Sequence, residues 1–215
     1  MIPLTKFFEN ISKRKFLVSK GFILLISLFI FLIILTILAE KYDIDLVLSS
    51  TFFSLEEDWY LGDKNPWKWL YDFGTVPGIL VSIISFSLLV IYRKNTKLSL
   101  LRPYLLICGF TPIIASLIFV NIVLKDHTGR PRPREISKFN GNWNYKPVFK
   151  LGIPGKGHSF PCGHCSIAFT LTSGIVFFRR NPKFALMSFS AGLIYGILMS
   201  IARIVQGGHF LTDTI

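Results

Sequence analysis

The sequence predicts an all-α membrane protein, a polytopic bundle of helices that cross the bilayer. Hydrophobic residues make up 51% of its 215 residues and charged residues only 17%, against about 25% in ordinary soluble domains. The apolar residues fall in long blocks rather than in the amphipathic stripes of soluble helices. This pattern excludes a disordered chain and disfavours a nucleic-acid-binding domain despite the net charge of +12. Three cysteines are too few for a disulfide scaffold.

Five apolar blocks are long enough, or nearly so, to cross a bilayer, which takes about 20 helical residues. A helix is the default because lipid offers the backbone no other partner, and the blocks lack the alternation of outer-membrane strands. The predicted spans are 21–39, 76–92, 103–124, 160–178 and 184–206, with loops 40–75 and 125–160 on one side. The first block is interpreted as a retained helix, because it is long for a signal peptide and no cleavage site follows it. Residues 1–215 are therefore expected to form one integral-membrane domain.

The distribution of charge predicts the direction of the spans. Residues 1–20, 93–102 and 179–183 together hold 12 basic residues and one acidic residue, so the positive-inside rule places them in the cytoplasm. Loop 40–75, with three basic and eight acidic residues, is expected to face outward. Its aromatic residues Tyr60, Trp67, Trp69 and Tyr71 are interpreted as an interfacial belt.

The second outer loop, 125–160, breaks the charge rule with eight basic and two acidic residues. This excess indicates either contact with lipid head groups or a site for an anionic substrate. Three polar clusters stand at the outer ends of three different blocks: KDHTGRPRP at 125–133, FPCGH at 160–164 and RIVQGGHFLTD at 203–213. Because all three are predicted on one side of the membrane, their cations and histidines are expected to converge.

The residue types in these clusters fit phosphate chemistry. Lysine supplies a point charge, and arginine a bidentate fork to phosphate oxygens. The backbone N–H groups of Cys162 and Gly163, where a helix is expected to begin, can face an anion. His209 and Asp213 are four residues apart and share one face if that stretch is helical, so the carboxylate can hold the imidazole tautomer. A histidine oriented in this way can act as a nucleophile, with His164 as general acid.

The three clusters resemble the motifs of the type 2 phosphatidic acid phosphatase (PAP2) superfamily, which read K-x6-RP, P-S-G-H and S-R-x5-H-x3-D. This chain reads KDHTGRPRP, PCGH and ARIVQGGHFLTD, in the same order and with the same spacing inside each cluster. The resemblance covers about residues 100–215 by motif and the rest by helix layout. The strings KDHTGRPRP, SFPCGHCS and QGGHF look most like those of bacterial lipid A phosphatases.

The resemblance implies a role for each matching residue. His209 would attack phosphorus and form a phosphohistidine, Asp213 would orient it, and His164 would protonate the leaving oxygen. The groups expected to bind the phosphate oxygens are the side chains of Lys125, Arg132 and Arg203 and the backbone N–H groups of Cys162 and Gly163. The family needs no metal or other cofactor, and the sequence has no carboxylate cluster suited to an ion.

The chain departs from the family pattern at three points. Cys162 stands where the family has serine, and a thiol is a weaker hydrogen-bond donor than a hydroxyl. Ala202 replaces the serine before Arg203, a change expected to have little effect. The family has a sixth span that begins near the final aspartate, so a sixth helix is expected beyond residue 215. Without that helix, the position of Asp213 is expected to be poorly fixed.

Other residues near the motifs have competing interpretations. Arg130, Arg134 and His158 are candidate contacts to a substrate head group or to a second phosphate. The string from Cys162 to Cys165 also matches a thiol oxidoreductase or, with two histidines, a zinc site, but it lacks the βαβ context and the usual paired spacing. A disulfide between these two cysteines in an oxidising outer compartment is a further alternative.

The leading hypothesis is a metal-independent lipid phosphatase of a bacterial inner membrane, with a cytoplasmic N-terminus and a periplasmic active site. Its substrate would be a phosphomonoester or pyrophosphate of a membrane lipid, first lipid A at its 1- or 4′-phosphate. The next candidates are undecaprenyl pyrophosphate and phosphatidylglycerophosphate. Two alternatives are transfer of the phosphate to another lipid and a non-catalytic phospholipid-binding or transport protein. Two histidines argue against the last, because binding alone needs only cations. The sequence predicts no nucleic-acid partner and leaves the oligomeric state open.

Overall fold

The architecture is a helical bundle, seen in a computed structural model that describes residues 4–94 and 97–215, with side chains at 21–94, 99–125 and 127–215. Apart from two isolated bridges, all regular structure in this part of the chain is helical, so the predicted fold class is confirmed. The basic side chains of residues 1–20, which helped to predict the orientation, lie outside the described residues. The direction of the spans therefore stays a prediction.

The longer elements follow one another along the chain with few connecting residues. They are α1 (Leu4–Lys41), α2 (Ile44–Ser50), α3 (Trp67–Phe73), α4 (Val76–Ile91), α5 (Arg102–Thr111), a π-helical segment (Pro112–Leu124), α6 (Lys125–Thr128), α7 (Gly163–Phe169), α8 (Ile175–Phe178) and α9 (Pro182–Val205). Short 3-10 turns occupy Lys97–Leu101, Pro133–Glu135, Ser137–Phe139, Thr170–Gly174 and Leu211–Asp213. The change from α5 to the π-helical segment falls at Pro112, which has no N–H for the α-helical ladder.

Four helical stretches of the described chain are long and apolar enough to cross a membrane: Gly21–Lys41, Trp67–Ile91, Ser99–Leu124 and Pro182–Val205. They match four of the five predicted spans, but the second begins at Trp67 rather than at 76. The reason is that α3 runs almost directly into α4, which places the aromatic residues of α3 within the span. A multi-pass membrane protein therefore fits the structure.

The fifth predicted span is shorter in the structure than in the sequence analysis. The apolar helical stretch covers Gly163–Phe178, where 160–178 was predicted. At about 1.5 Å per residue it is about 24 Å long, less than the roughly 30 Å of a hydrocarbon core. The 3-10 turn at Thr170–Gly174 interrupts it. All three parts of this stretch, α7, the 3-10 turn and α8, pack against α9.

Two groups of buried side chains hold the end of the bundle where the motifs meet. The first joins α7 to α9 and consists of Cys162, Cys165, Ala168 and Met199. The second lies in the loops, where Ile136, Phe139 and Phe210 pack against Phe53, Trp59 and Tyr145. This second group gives loop 125–160 an apolar core of its own, so the loop presents its basic residues from a fixed surface.

Candidate active site

The three sequence clusters meet at one end of the bundle. Lys125 begins α6, Arg132 precedes a 3-10 turn, His164 lies in the first turn of α7, and Arg203 lies in the last turn of α9. His209 follows in the turn after α9. The imidazole of His164 is within electrostatic range of Arg203, His209, Lys125 and Arg132. The structure thus brings together the cations and histidines that the sequence analysis singled out.

His209 is held in a tight turn after α9. The N–H groups of Gly208 and His209 both donate to the carbonyl of Arg203, at 3.0 and 3.2 Å. Gly207 has φ +60° and packs on the Trp59 ring, and any Cβ at Gly208 would lie 2.5 Å from Nη2 of Arg203. The two glycines therefore let the backbone reverse and let the guanidinium approach it closely.

The imidazole of His209 is buried, with 1% of the residue exposed. Its Nδ1 lies 3.6 Å from Oδ2 of Asp213, longer than a hydrogen bond, and has no hydrogen-bond partner among the described residues. Burial lowers the pKa of His209 to about 4, and Arg203 and Lys125 act in the same direction while Asp213 opposes them. The imidazole is therefore neutral near pH 7, the state in which its nitrogen can attack an electrophile.

Asp213 is fixed more firmly than the sequence analysis expected. Its carboxylate accepts hydrogen bonds from the Ser159 hydroxyl, from the N–H of Phe210 at 2.7 Å and from Nη1 of Arg130. Burial alone would raise the pKa of Asp213, but Arg130, His209 and Ser159 together lower it below its usual value. The expectation of a poorly fixed Asp213 is wrong for this structure, because three groups within the described chain hold it.

Arg130 is the group that most corrects the sequence analysis. It was expected to touch a substrate head group, yet it is 1% exposed and faces inward. Its guanidinium bridges two carboxylates, Asp213 and Asp45, with 2.7 Å between Nη2 and Oδ2 of Asp45. Burial acts to lower the pKa of Arg130, but these two carboxylates raise it above its usual value. Arg130 therefore serves as the counter-charge of Asp213 and cannot reach a head group.

Asp45 belongs to this buried network and was missed in the sequence. It lies in α2, accepts hydrogen bonds from the Thr212 N–H (3.0 Å) and hydroxyl and from the Tyr145 hydroxyl (3.1 Å), and is 1% exposed. Through Thr212 and Arg130 it braces the segment that carries Asp213. The only sequence signal was one acidic residue among eight in loop 40–75, which did not distinguish it.

The three cations expected to bind phosphate differ in how far their side chains are already engaged. The Nζ of Lys125 lies 3.5 Å from Oδ1 of Asn121, and Nη1 of Arg203 donates to Gln206 at 2.6 Å. The Nε atoms of Arg132 and Arg203 are both buried, and neither has a hydrogen-bond partner in the described part of the chain. Buried donors of this kind are suited to an anionic ligand.

Tyr71 of α3 is a second residue that the sequence analysis did not place in the site. Its ring stacks on His164 with 5.4 Å between ring centroids. The guanidinium carbon of Arg203 lies 4.5 Å from the centroid of the same ring. Tyr71 thus orients one histidine and one cation, and its interpretation as part of an interfacial belt omits both contacts.

The sequence analysis expected the backbone N–H of Cys162 to bind the phosphate, but in the structure this N–H is already engaged. That N–H donates to the carbonyl of Asp213 at 2.9 Å, which ties the start of α7 to the last motif. The Sγ of Cys162 caps α7 by accepting the N–H of Cys165, and the two cysteines are joined by a disulfide with their Cα atoms 5.3 Å apart. Gly163 begins α7, where the first N–H groups have no partner within the helix, and its role in phosphate binding stays a prediction.

The remaining candidates lie at the edge of the site. Arg134 is exposed and within electrostatic range of Arg203, and its backbone N–H donates to the carbonyl of Gly207. His158 is half-buried beside Ser159. Among the residues whose side chains are described, no group of three or more His, Cys, Asp or Glu could hold a metal ion. The disulfide leaves neither Cys162 nor Cys165 a thiolate with which to bind zinc.

Fold and site together define a multi-pass helical membrane protein with a cluster of cations and histidines at one end of its bundle. A family model described as the PAP2 superfamily matches residues 100–215, which is more than half of the chain. The chain belongs to this superfamily.

Three curated relatives share the name Lipid A 4'-phosphatase. The protein of Francisella tularensis subsp. novicida is 36% identical over 99 residues, 46% of this chain and 44% of its own length. That of Rhizobium leguminosarum is 30% identical over 106 residues, 49% of this chain and 45% of its own. That of Rhizobium etli is 26% identical over 144 residues, which are 66% of this chain and 55% of its own length. The chain therefore spans about half the length of the curated relatives it matches, and no solved structure matches it significantly.

Proposed function

We propose that this protein is a metal-independent lipid phosphatase that acts through a phosphohistidine at His209. The observation that carries the proposal is the meeting of three cations with two histidines, one of which is buried, neutral and backed by a carboxylate. Binding an anion would need only the cations. A neutral imidazole beside a fixed carboxylate adds the means to form and break a bond to phosphorus.

In the proposed first step, Nε2 of His209 attacks phosphorus while the bond from phosphorus to the lipid oxygen breaks. The Nδ1 side of the ring faces Asp213, so the carboxylate stabilises the positive charge that develops on the imidazole. Arg130 keeps Asp213 ionised for this task. In the second step water attacks the phosphohistidine, which releases inorganic phosphate and restores the imidazole.

Lys125, Arg132 and Arg203 are proposed to bind the non-bridging phosphate oxygens. Each would stabilise the charge of the transition state by roughly 3 kcal/mol, the usual worth of one preorganised donor. The buried Nε atoms of Arg132 and Arg203, which have no hydrogen-bond partner among the described residues, support this role. The N–H of Gly163 at the start of α7 is proposed as a further donor.

His164 is proposed to protonate the leaving oxygen and then to activate water. It lies in the first turn of α7, which is capped by Cys162 and held by the disulfide from Cys162 to Cys165. Its ring stacks on that of Tyr71. Tyr71 is exposed and lies in Trp67–Ile91, a helical stretch long and apolar enough to cross a membrane, which supports a site whose Tyr71 side adjoins the lipid. A lipid substrate could therefore present its phosphate from the bilayer.

The proposed substrate is lipid A, with the 4′-phosphate first and the 1-phosphate second. The name that the three relatives share, Lipid A 4'-phosphatase, supports this choice of substrate. We further propose that residues 1–215 act as one domain in a bacterial inner membrane, with the N-terminus in the cytoplasm and the site in the periplasm. The asymmetry of basic residues between the loops supports this orientation.

The test is phosphate release by the full chain in detergent with EDTA present. Lipid A, undecaprenyl pyrophosphate and phosphatidylglycerophosphate are offered side by side. We expect EDTA-resistant release, fastest from lipid A, that disappears in His209→Ala and persists in His127→Ala, a matched histidine exposed in loop 125–160. Normal phosphate release by His209→Ala would overturn the assignment of His209 as the nucleophile. Phosphate recovered on a second lipid instead of in water would identify a transferase.

A further inference from the structure

A groove of about 430 Å³ lies between α4 and the π-helical segment, on a face of the bundle that is predicted to lie in the membrane. Side chains of Ile79, Ile83 and Phe86 line it from α4, and those of Ile113 and Leu117 from the opposite helix. All ten residues that line the groove are uncharged. Its chemistry therefore fits a hydrocarbon chain.

The groove adjoins the proposed phosphate site through Asn121. Asn121 lines the groove, and its Oδ1 lies 3.5 Å from Nζ of Lys125. Gly163, the neighbour of His164, packs against the same Asn121 side chain. A lipid whose phosphate lies between Lys125 and His164 would thus place the upper part of a chain at the entrance of this groove.

Ser82 provides an independent sign that the groove receives a ligand. Its side chain lines the groove, is 6% exposed, and its hydroxyl has no hydrogen-bond partner among the described residues. A buried hydroxyl without a partner costs free energy unless something pairs with it. Ser82 lies six residues from the start of α4 and shares the lining of the groove with Asn121, which is near Lys125.

We propose that this groove binds one acyl chain of the phosphorylated lipid, with the Ser82 hydroxyl hydrogen-bonded to a polar group near the head of that chain. The inference rests on the proposed function, because the lipid is the substrate assigned to the neighbouring site. Ile79, Ile83 and Leu117 are each about half exposed, so the groove opens sideways to the bilayer and the chain can enter without leaving it.

The first test is photolabelling of the full chain with a phosphatidic acid that carries a diazirine on one acyl chain. We expect label within residues 79–86 and 112–121. An excess of unlabelled phosphatidic acid should reduce the label about tenfold, whereas the same excess of diacylglycerol should not, since only the former also binds the cations. Equal competition by both lipids would mean that ordinary bilayer lipid fills the groove, and would overturn the assignment.

A matched pair of variants tests the groove during turnover. Ile83 and Ile84 are neighbours on α4 with the same exposure, 54%, but only Ile83 lines the groove. We expect Ile83→Trp to raise the ratio of KM for the long-chain form to KM for the short-chain form of the lipid that the wild type hydrolyses fastest. The expected rise is about tenfold, the equivalent of roughly two methylene groups. Ile84→Trp should keep the wild-type ratio. A wild-type KM ratio in Ile83→Trp would overturn the proposal that the groove binds an acyl chain.

Ser82→Ala tests the hydrogen bond. If a lipid group near the head of the chain pairs with the hydroxyl, its loss raises KM several-fold for long-chain and short-chain lipids alike. If none does, both KM values stay at the wild-type values and the variant becomes more stable, which overturns that part of the proposal. Failure of the proposed function is distinguishable, because the wild-type chain would then release no phosphate while phosphate-dependent labelling of the groove would persist.

Discussion

Arg130 and Asp213 form a buried ion pair across 83 positions of the sequence, with Nη1 of the guanidinium donating to Oδ1 of the carboxylate. The same guanidinium also pairs with Asp45. One cation therefore pairs with two carboxylates in the interior. One of these, Asp213, faces the imidazole of His209, so the ion pair helps to position the group beside that ring.

Replacing Arg130 by alanine should unfold or strongly destabilise the protein. Two buried carboxylates would lose their counter-charge, which costs about 3–5 kcal/mol when one partner of a buried pair is removed. Thermal melting in detergent measures the effect. Arg134→Ala, an exposed arginine of the same loop, should change stability by no more than about 0.5 kcal/mol. Equal melting of both variants would contradict the buried role of Arg130.

Asp45→Asn should lower the rate of phosphate release although Asp45 lies outside all three motifs. Asparagine keeps the shape of the side chain but places an amide or a neutral oxygen against Arg130, which weakens a charged hydrogen bond of about 1.5–3 kcal/mol. We expect kcat to fall about tenfold or more. Asp58→Asn is the control, since Asp58 is exposed in the same loop and asparagine tolerates its positive φ. Unchanged kcat in Asp45→Asn would remove Asp45 from the network that positions His209.

Tyr71→Ala should impair the site more than Tyr71→Phe. Phenylalanine keeps the ring under Arg203 and against His164, whereas alanine removes a cation–π contact worth about 0.5–2 kcal/mol. Steady-state kinetics with the preferred lipid should show a loss of about threefold to thirtyfold in kcat/KM for the alanine variant. Trp69→Ala, which removes an exposed aromatic residue of the same helix, provides the comparison. A loss of the same size in Trp69→Ala would indicate a general effect on α3.

Acid should destabilise the fold through His209. Its pKa is about 4 in the fold and about 6.5 in an unfolded chain, so between these values the unfolded chain binds a proton that the folded one does not. Stability is therefore unaffected by this group above pH 6.5 and falls as the pH drops towards 4, by on the order of 3 kcal/mol at the limit.

Melting temperatures at pH 7.5 and 5 measure this loss. His209→Gln should show a smaller drop between the two pH values than the wild type, whereas His127→Gln should show the wild-type drop. The lowered pKa of Asp213 acts in the same direction, but only below the ordinary range of an aspartate near 4. An identical drop in His209→Gln would mean that the imidazole is not held neutral by burial.

Cys162 should matter through its backbone rather than its sulfur. Serine removes the disulfide but can cap α7 as the Cys162 sulfur does, and it leaves the N–H bond to Asp213 intact. Cys162→Ser should therefore retain activity within about threefold. Proline fits the φ of −74° at this position but removes the N–H. Cys162→Pro should therefore lose about tenfold more activity than Cys162→Ala, which lacks the cap and the disulfide but keeps the N–H. Equal activity of these two variants would show that the bond to Asp213 is dispensable.

The sequence was sufficient for the helical class, because apolar blocks are local signals. It also predicted that the clusters of Lys125, His164 and His209 meet, because the order of the spans placed all three clusters on one side of the membrane. It was insufficient where neither signal marks a contact between distant segments. Arg130 resembles any other basic residue of its loop until its partner Asp45 is placed beside it, 85 positions away. Tyr71 was taken for an interfacial residue for the same reason, since nothing local marks its contact with Arg203.

Boundaries were harder to predict than elements. The span predicted from 76 begins at Trp67, because the polar and aromatic residues of α3 conceal a helix that continues into α4. The block at 160–178 appeared to be one plain span, yet a 3-10 turn divides it at Thr170–Gly174. Hydropathy reports where a chain is apolar and does not report which backbone hydrogen bonds it makes.

The place of Asp45 bears on how such a protein can be recombined. The family match begins at residue 100, yet a carboxylate from α2 helps to hold the last motif. A chimera that joins residues 100–215 to the first half of another superfamily member would inherit every motif residue but not this carboxylate. Such a hybrid should work only if the donor half carries an acid that reaches Arg130 and Thr212, so the two halves are not interchangeable modules.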